Sequence, residues 1–111
     1  MVRGAITFEE GAPAFRSATL YIRLEDVTEA DASSRLVAQE IRRGVSGPPR
    51  EIPFEIKTAG IDERASYNVS VLVDLDGDGR PSRGDFSSVQ SYPVLTHSHP
   101  SEVLVHVRRL S

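Results

Sequence analysis

The chain has 111 residues, sixteen acids against thirteen bases and a net charge of −3. That length suits one domain, 1–111, and Val, Ile, Leu and Phe supply 30 of the 111 residues, above the roughly 20% of disordered chains. The absence of cysteine excludes disulfides, thiol catalysis and cysteine-based zinc sites; the acidic balance argues against nucleic-acid binding by counterion release; no apolar run approaches the roughly 18 residues of a membrane helix.

Val and Ile (18 together) outnumber Leu (8), which favours strands because branching at Cβ suits a pleated surface. In chain order, Val2–Phe8 is a weak strand candidate, and Gly11–Pro13 a turn. Leu20, Ile22 and Leu24 then alternate with Thr19, Tyr21 and Arg23, which places one apolar face on a core. Thr28–Ser34 has room for one helical turn with Thr28 as N-cap. Arg35–Ile41 is a second weak strand, and Gly44–Pro49 a turn-rich stretch. Ile52, Phe54 and Ile56 alternate with Pro53, Glu55 and Lys57. Gly60-Ile61-Asp62 precedes Tyr67, the pattern of a tyrosine corner, with an ordinary core aromatic as the alternative. Tyr67, Val69, Val71 and Val73 alternate with Asn68, Ser70 and Leu72. Phe86–Leu95 is a weak strand that Pro93 demotes to an edge or bulge, since proline donates nothing to a ladder. Ser98–Ser101 is a turn, and Val103, Val105 and Val107 alternate with Leu104, His106 and Arg108. The expected fold is all-β: an antiparallel β-sandwich of about seven strands, immunoglobulin- or transthyretin-like, with no long helix.

The stretch Asp74-Leu-Asp-Gly-Asp-Gly-Arg-Pro-Ser-Arg-Gly-Asp85 carries the most chemistry. A hard cation such as calcium takes six to eight oxygens, and a twelve-residue loop supplies them from positions 1, 3, 5, 7, 9 and 12. Those positions hold Asp74, Asp76, Asp78, Arg80 (through its carbonyl), Ser82 and Asp85, with Gly79 at the sixth for the bend. Four unneutralised carboxylates this close repel one another, and a dication removes that cost. The loop departs from an EF-hand: the twelfth residue is Asp instead of Glu, Pro81 fills the eighth place, and the flanks read as strands. The expectation is a calcium loop between two strands, and the alternative is a solvated Asp/Gly turn.

Other candidates are weaker. His97 and His99 share a face only if extended, and two imidazoles do not complete a metal site. His106 reads as a surface residue. Asn68-Val69-Ser70 is a glycosylation sequon inside a strand. Ser87, Ser88 and Ser91 have no base and acid beside them, so no catalytic triad is visible. Arg42, Arg43 and Arg50 read as a solvated patch, and the glycines lie among carboxylates that would repel phosphate.

Leu20-Tyr-Ile-Arg-Leu-Glu-Asp-Val27 with Ala30-Asp31-Ala32 resembles the signature of YbaY-like bacterial lipoprotein domains, with which the type III secretion pilotin YscW is grouped. The likeness continues through Val37-Ala38-Gln39, Ile52–Ile56, Ile61-Asp62, Tyr67-Asn68-Val69 and Tyr92–Thr96, over most of residues 2–109. It implies a small β-sandwich of the periplasm or cell envelope, anchored by a lipidated cysteine that this sequence lacks. For the pilotin branch it further implies a chaperone role toward an outer-membrane or secretion-system protein, a secretin ring. The acidic loop stands where the family has a short hairpin, so the calcium expectation rests on spacing alone. The leading expectation is a non-enzymatic binding or assembly module, with an edge near Pro93 free to accept a partner strand. A purely structural calcium-stabilised domain of a larger extracytoplasmic protein is the second reading, and an enzyme with an unseen site the third.

Overall fold

The computed structural model describes residues 1–29 and 33–111, and every regular element in them is a strand. These are β1 (Val2–Phe8), β2 (Phe15–Asp26), β3 (Arg35–Gly47), β4 (Ile52–Ile56), β5 (Tyr67–Asp74), β6 (Phe86–Ser88), β7 (Pro93–Val94) and β8 (Glu102–Arg109). One path of hydrogen-bonded neighbours runs β3-β2-β5-β6-β8-β1-β4, and β7 pairs separately with β5. The pairings are antiparallel except β1 with β8, which run parallel. The sheet thus coils back on itself as a sandwich or nearly closed barrel, the expected all-β class with one parallel seam.

Gly4 makes that seam possible. It lies opposite Val103, and a Cβ at Gly4 would sit 1.8 Å from the Val103 carbonyl oxygen. Only a residue without a side chain lets the two backbones approach this closely.

Period-two alternation sets the core. Leu20, Ile22 and Leu24 of β2, Val69 and Val73 of β5, and Val105 and Val107 of β8 are fully buried, with Ile52, Phe54 and Ile56 of β4 nearly so. Each such side chain contributes about 1.5–3 kcal/mol relative to exposure. Phe8, Phe15 and Phe86 close one end as a triangle of rings with centroids 5.2–5.8 Å apart. At the other end the Tyr67 hydroxyl accepts the Asp62 backbone N–H at 2.9 Å, the bond of a tyrosine corner.

Three local expectations change. β3 continues through Gly44 to Gly47 instead of ending at Ile41, because irregularities in its register with β2 absorb Gly44 at φ 69° without ending the ladder. Phe86–Leu95 divides into β6 and a two-residue β7 at Pro93, so the edge near Pro93 is too short to serve as a strand-docking edge. Leu72, on the side of β5 facing away from the core, is buried between its partners Tyr21 and Ser87. The helical turn expected at Thr28–Ser34 and the Ala30-Asp31-Ala32 piece fall wholly or partly on residues 30–32, outside the described residues. Thr28 itself bonds Asp26 through its hydroxyl and accepts the Ser66 N–H at 3.0 Å.

Candidate functional site

The acidic loop springs from the end of β5 and returns into β6, so its first ligand candidate is a strand residue and its last immediately precedes a strand. Asp74 is opposite Thr19 of β2, and Phe86, next to Asp85, is opposite Val73 and Arg109. Both end carboxylates are 1% exposed. The base is pinned from a third side: Leu110 donates its N–H to the Asp85 carbonyl at 2.7 Å and accepts the Gly84 N–H at 2.8 Å. No local pattern marks Leu110 for this part, because the contact extends the antiparallel β6–β8 ladder between segments distant in the chain.

Inside the loop, the carboxylates turn the chain by accepting its backbone N–H groups. Asp74 accepts Gly77 (Oδ1, 3.0 Å) and Gly79 (Oδ2, 2.7 Å). Asp78 accepts Arg80 at 2.9 Å, and Asp85 accepts Leu75 at 2.8 Å and Ser82 at 3.1 Å. The Ser82 hydroxyl lies 2.7 Å from Asp76 and 3.0 Å from Asp85 and joins the two. Gly77 and Gly79 have φ of 79° and 74°, the left-handed conformation these bends need. A Cβ on Gly79 would lie 3.7 Å from the Tyr21 hydroxyl, so the loop folds back over the outer face of β2. That return, which alternation alone does not encode, brings the loop beside Tyr21, the partner of Leu72 across the ladder.

Of the six expected ligands, Asp74, Asp76, Asp78 and Asp85 each bring one carboxylate oxygen to a point where all four lie within 4.8 Å of one another. Ser82 touches two of them. Arg80 is exposed, and its N–H bonds Asp78. Ca–O distances of about 2.3–2.6 Å place oxygens on opposite sides of one ion about 4.6–5.2 Å apart, so the donor set has the span of a single calcium shell. A carboxylate oxygen that accepts one N–H keeps a lone pair for a cation.

The electrostatics divide the cluster. Burial pushes the Asp74 carboxyl above its usual value of 3.8, with Asp76 and Asp85 adding to the rise against the N–H groups of Gly79 and Gly77. The Ser82 hydroxyl, then Asp74 itself, holds Asp76 down to about 2. Asp76 is therefore charged at any physiological pH, beside a buried carboxylate that resists its own charge.

The serine candidates and His106 have structural partners. Ser87 bonds the Ser88 carbonyl, Ser88 the backbone of Val71, and Ser91 the Asn68 side chain; none meets an imidazole. His106 is half-buried instead of a free surface residue, 3.1 Å from the Thr7 hydroxyl, while its backbone N–H donates to the Tyr92 hydroxyl at 2.8 Å. His97 and His99 are exposed in a turn, with His97 at φ 55°. A cavity of about 430 Å³ at the Tyr67 end is lined by Asp26, Glu29, Arg35, Asp62 and Arg64, and Asp26 pairs with Arg35 at 3.5 Å.

The model of a family described as the type III secretion system lipoprotein chaperone (YscW) matches residues 1–107. A solved structure of an alternative pilotin from the type II secretion system of Vibrio cholerae resembles the chain with a TM-score of 0.77 at 22% sequence identity, over 99% of this chain and 96% of that one. At that identity the likeness speaks to the fold. No curated protein matches the chain significantly. With the match running from β1 into β8, the chain belongs to the YscW family of secretion-system lipoprotein chaperones.

Proposed function

We propose that the protein is a pilotin-like chaperone of the cell envelope, which binds a secretion-system protein of the outer membrane and does no chemistry of its own. The observation that carries this reading is the span of the family match, 107 of 111 residues, together with a fold that follows a pilotin's from end to end. Ser87, Ser88, Ser91 and His106, whose side chains are committed to structural hydrogen bonds, are in keeping with a binding role. The test is co-expression with the outer-membrane ring protein of the same organism's secretion system. Ring subunits that assemble with the chain and are degraded without it support the reading. Subunits that assemble equally in both cases sink it.

Within this reading, Asp74, Asp76, Asp78 and Asp85, with Ser82 and the Arg80 carbonyl completing the set, hold calcium and stiffen the β5–β6 connection. Support comes from the four converging carboxylate oxygens and from the burial of Asp74, whose charge a dication would stabilise. Calcium is millimolar outside the cytosol, where a site closed by Asp instead of Glu still fills. Isothermal titration of chelator-stripped protein decides it: no heat at millimolar calcium removes the ion from the account and leaves the chaperone reading standing.

A further inference from the structure

β3 is the longest strand, at thirteen residues, and it ends the sheet order: β2 pairs along one side, and among the described residues no strand pairs along the other. A row of free N–H and C=O groups of this length is a template for another strand. Two of the large apolar side chains that remain exposed, Leu36 (48%) and Ile41 (39%), lie on it.

We propose that β3 pairs antiparallel with β3 of a second copy of this chain, about a two-fold axis through Ile41. In antiparallel pairs, opposed residues share a face, so a two-fold axis must pass through a residue instead of between two. An axis through Glu40 or Arg42 sets like charges against each other. An axis through Gln39 sets Arg35 against Arg43. Through Ile41, Glu40 of each copy faces Arg42 of the other, Gln39 faces Arg43, and the two exposed Ile41 side chains meet. The centre of the edge is therefore complementary to itself in this register. The geometry for the exchange exists: within one chain Arg42 already grips Glu40 through Nε and Nη2 at 2.8 and 3.0 Å, with both side chains about one-third exposed. Glu40 and Arg42 sit opposite Ile22 and Leu20, so the row of core-facing positions ends in charge just where the second copy would continue the sheet. Ile41 sits opposite Tyr21 on the other face, which gives the Ile41 pair an aromatic flank. Such a dimer is independent of the chaperone reading and of calcium.

The chain has no cysteine, so a single introduced thiol reports cleanly. Opposed antiparallel residues have Cα atoms about 4.5 or 5.5 Å apart, both within disulfide range. Ile41→Cys should form a disulfide dimer under mild oxidation far faster than Leu104→Cys, at an exposed position on β8. In sedimentation velocity, the unmodified chain should show a concentration-dependent dimer. Arg42→Glu should weaken it at least about tenfold, and the double exchange Glu40→Arg with Arg42→Glu should restore it. Equal cross-linking at both cysteines, a dimer indifferent to Arg42→Glu, or a chain monomeric at every concentration overturns the proposal. Thermal melts confirm that each variant is folded.

Discussion

β5 is held at its two ends by different physics. Before it, the chain turns mostly on neutral groups: the Tyr67 hydroxyl accepts the Asp62 N–H and the buried Thr96 hydroxyl bonds the Ala65 carbonyl at 2.6 Å, with a single exposed carboxylate, Asp62, accepting the Arg64 N–H at 2.9 Å. After it, the turn is made by four carboxylates that accept backbone N–H groups and crowd within 4.8 Å. Neutral hydrogen bonds of the first kind contribute about 1 kcal/mol each and keep that value across the pH range. Bonds to carboxylates are stronger one by one, but each added charge raises the cost of the next. One end is therefore complete as built, and the other holds crowded charge that a proton or a cation would relieve. A single strand thus joins a mostly neutral clip to a crowded acidic loop.

The strand between them tests whether both ends depend on the same core. Val71→Asp places an unpaired carboxylate among Ile22 and the other buried chains opposite it, at a cost of about 4 kcal/mol or more. We expect an unfolded or insoluble protein at 25 °C, read by far-UV circular dichroism, whatever the calcium concentration. A soluble protein that melts cooperatively would show that β5 faces the other way.

The core was legible because its residues obey one rule. Leu20, Ile22 and Leu24, the odd-numbered run from Tyr67 to Val73, and the three β4 residues all alternate, and all are buried. The loop between two strands was legible from the spacing of its Asp and Gly residues, and the four aspartates do converge. What could not be read came from distant partners. Gly44 looks like a turn, yet a bulge against β2 carries β3 past it. Leu110 carries no signal, yet it pins Asp85. The parallel β1–β8 seam depends on Gly4 meeting Val103, 99 residues away, and no local pattern announces that pairing.

The charged end should be the one that answers to calcium. Ligand binding to the folded state alone adds RT ln(1+[L]/Kd), about 2.7 kcal/mol at a hundredfold excess over Kd. Differential scanning calorimetry in chelator and in millimolar calcium should show that gain for the parent chain and little of it for Asp76→Ala, which keeps the fold because Asp76 is exposed. Equal responses in parent and variant would leave the cluster a solvated turn.

The neutral end supplies the counterpart. Tyr67→Phe removes the phenol oxygen and leaves the Asp62 N–H without its partner, at a cost of about 1 kcal/mol. Chemical denaturation should give the same loss with and without calcium. A loss that grows when calcium is removed would mean that the two ends of β5 are coupled through the strand.

Acid sharpens the contrast most finely, because two neighbours in the loop respond in opposite senses. Asp74, raised above 3.8 by burial, favours the fold below 3.8, and that contribution disappears as pH rises through its folded value. Asp76, lowered from 3.8 to about 2, contributes fully above 3.8 and loses that contribution as pH falls toward about 2. In chelator the two partly cancel, so the parent chain's loss of stability on acidification understates the contribution of Asp76. Asp76→Asn removes the second titration and keeps an acceptor for the Ser82 hydroxyl. Its melting temperature should fall less than the parent's between about pH 4 and pH 2, by a small margin suited to an exposed group. Parallel acid profiles would mean that the Ser82 bond does not hold the Asp76 charge in solution, and the loop's electrostatic asymmetry would then rest on burial of Asp74 alone.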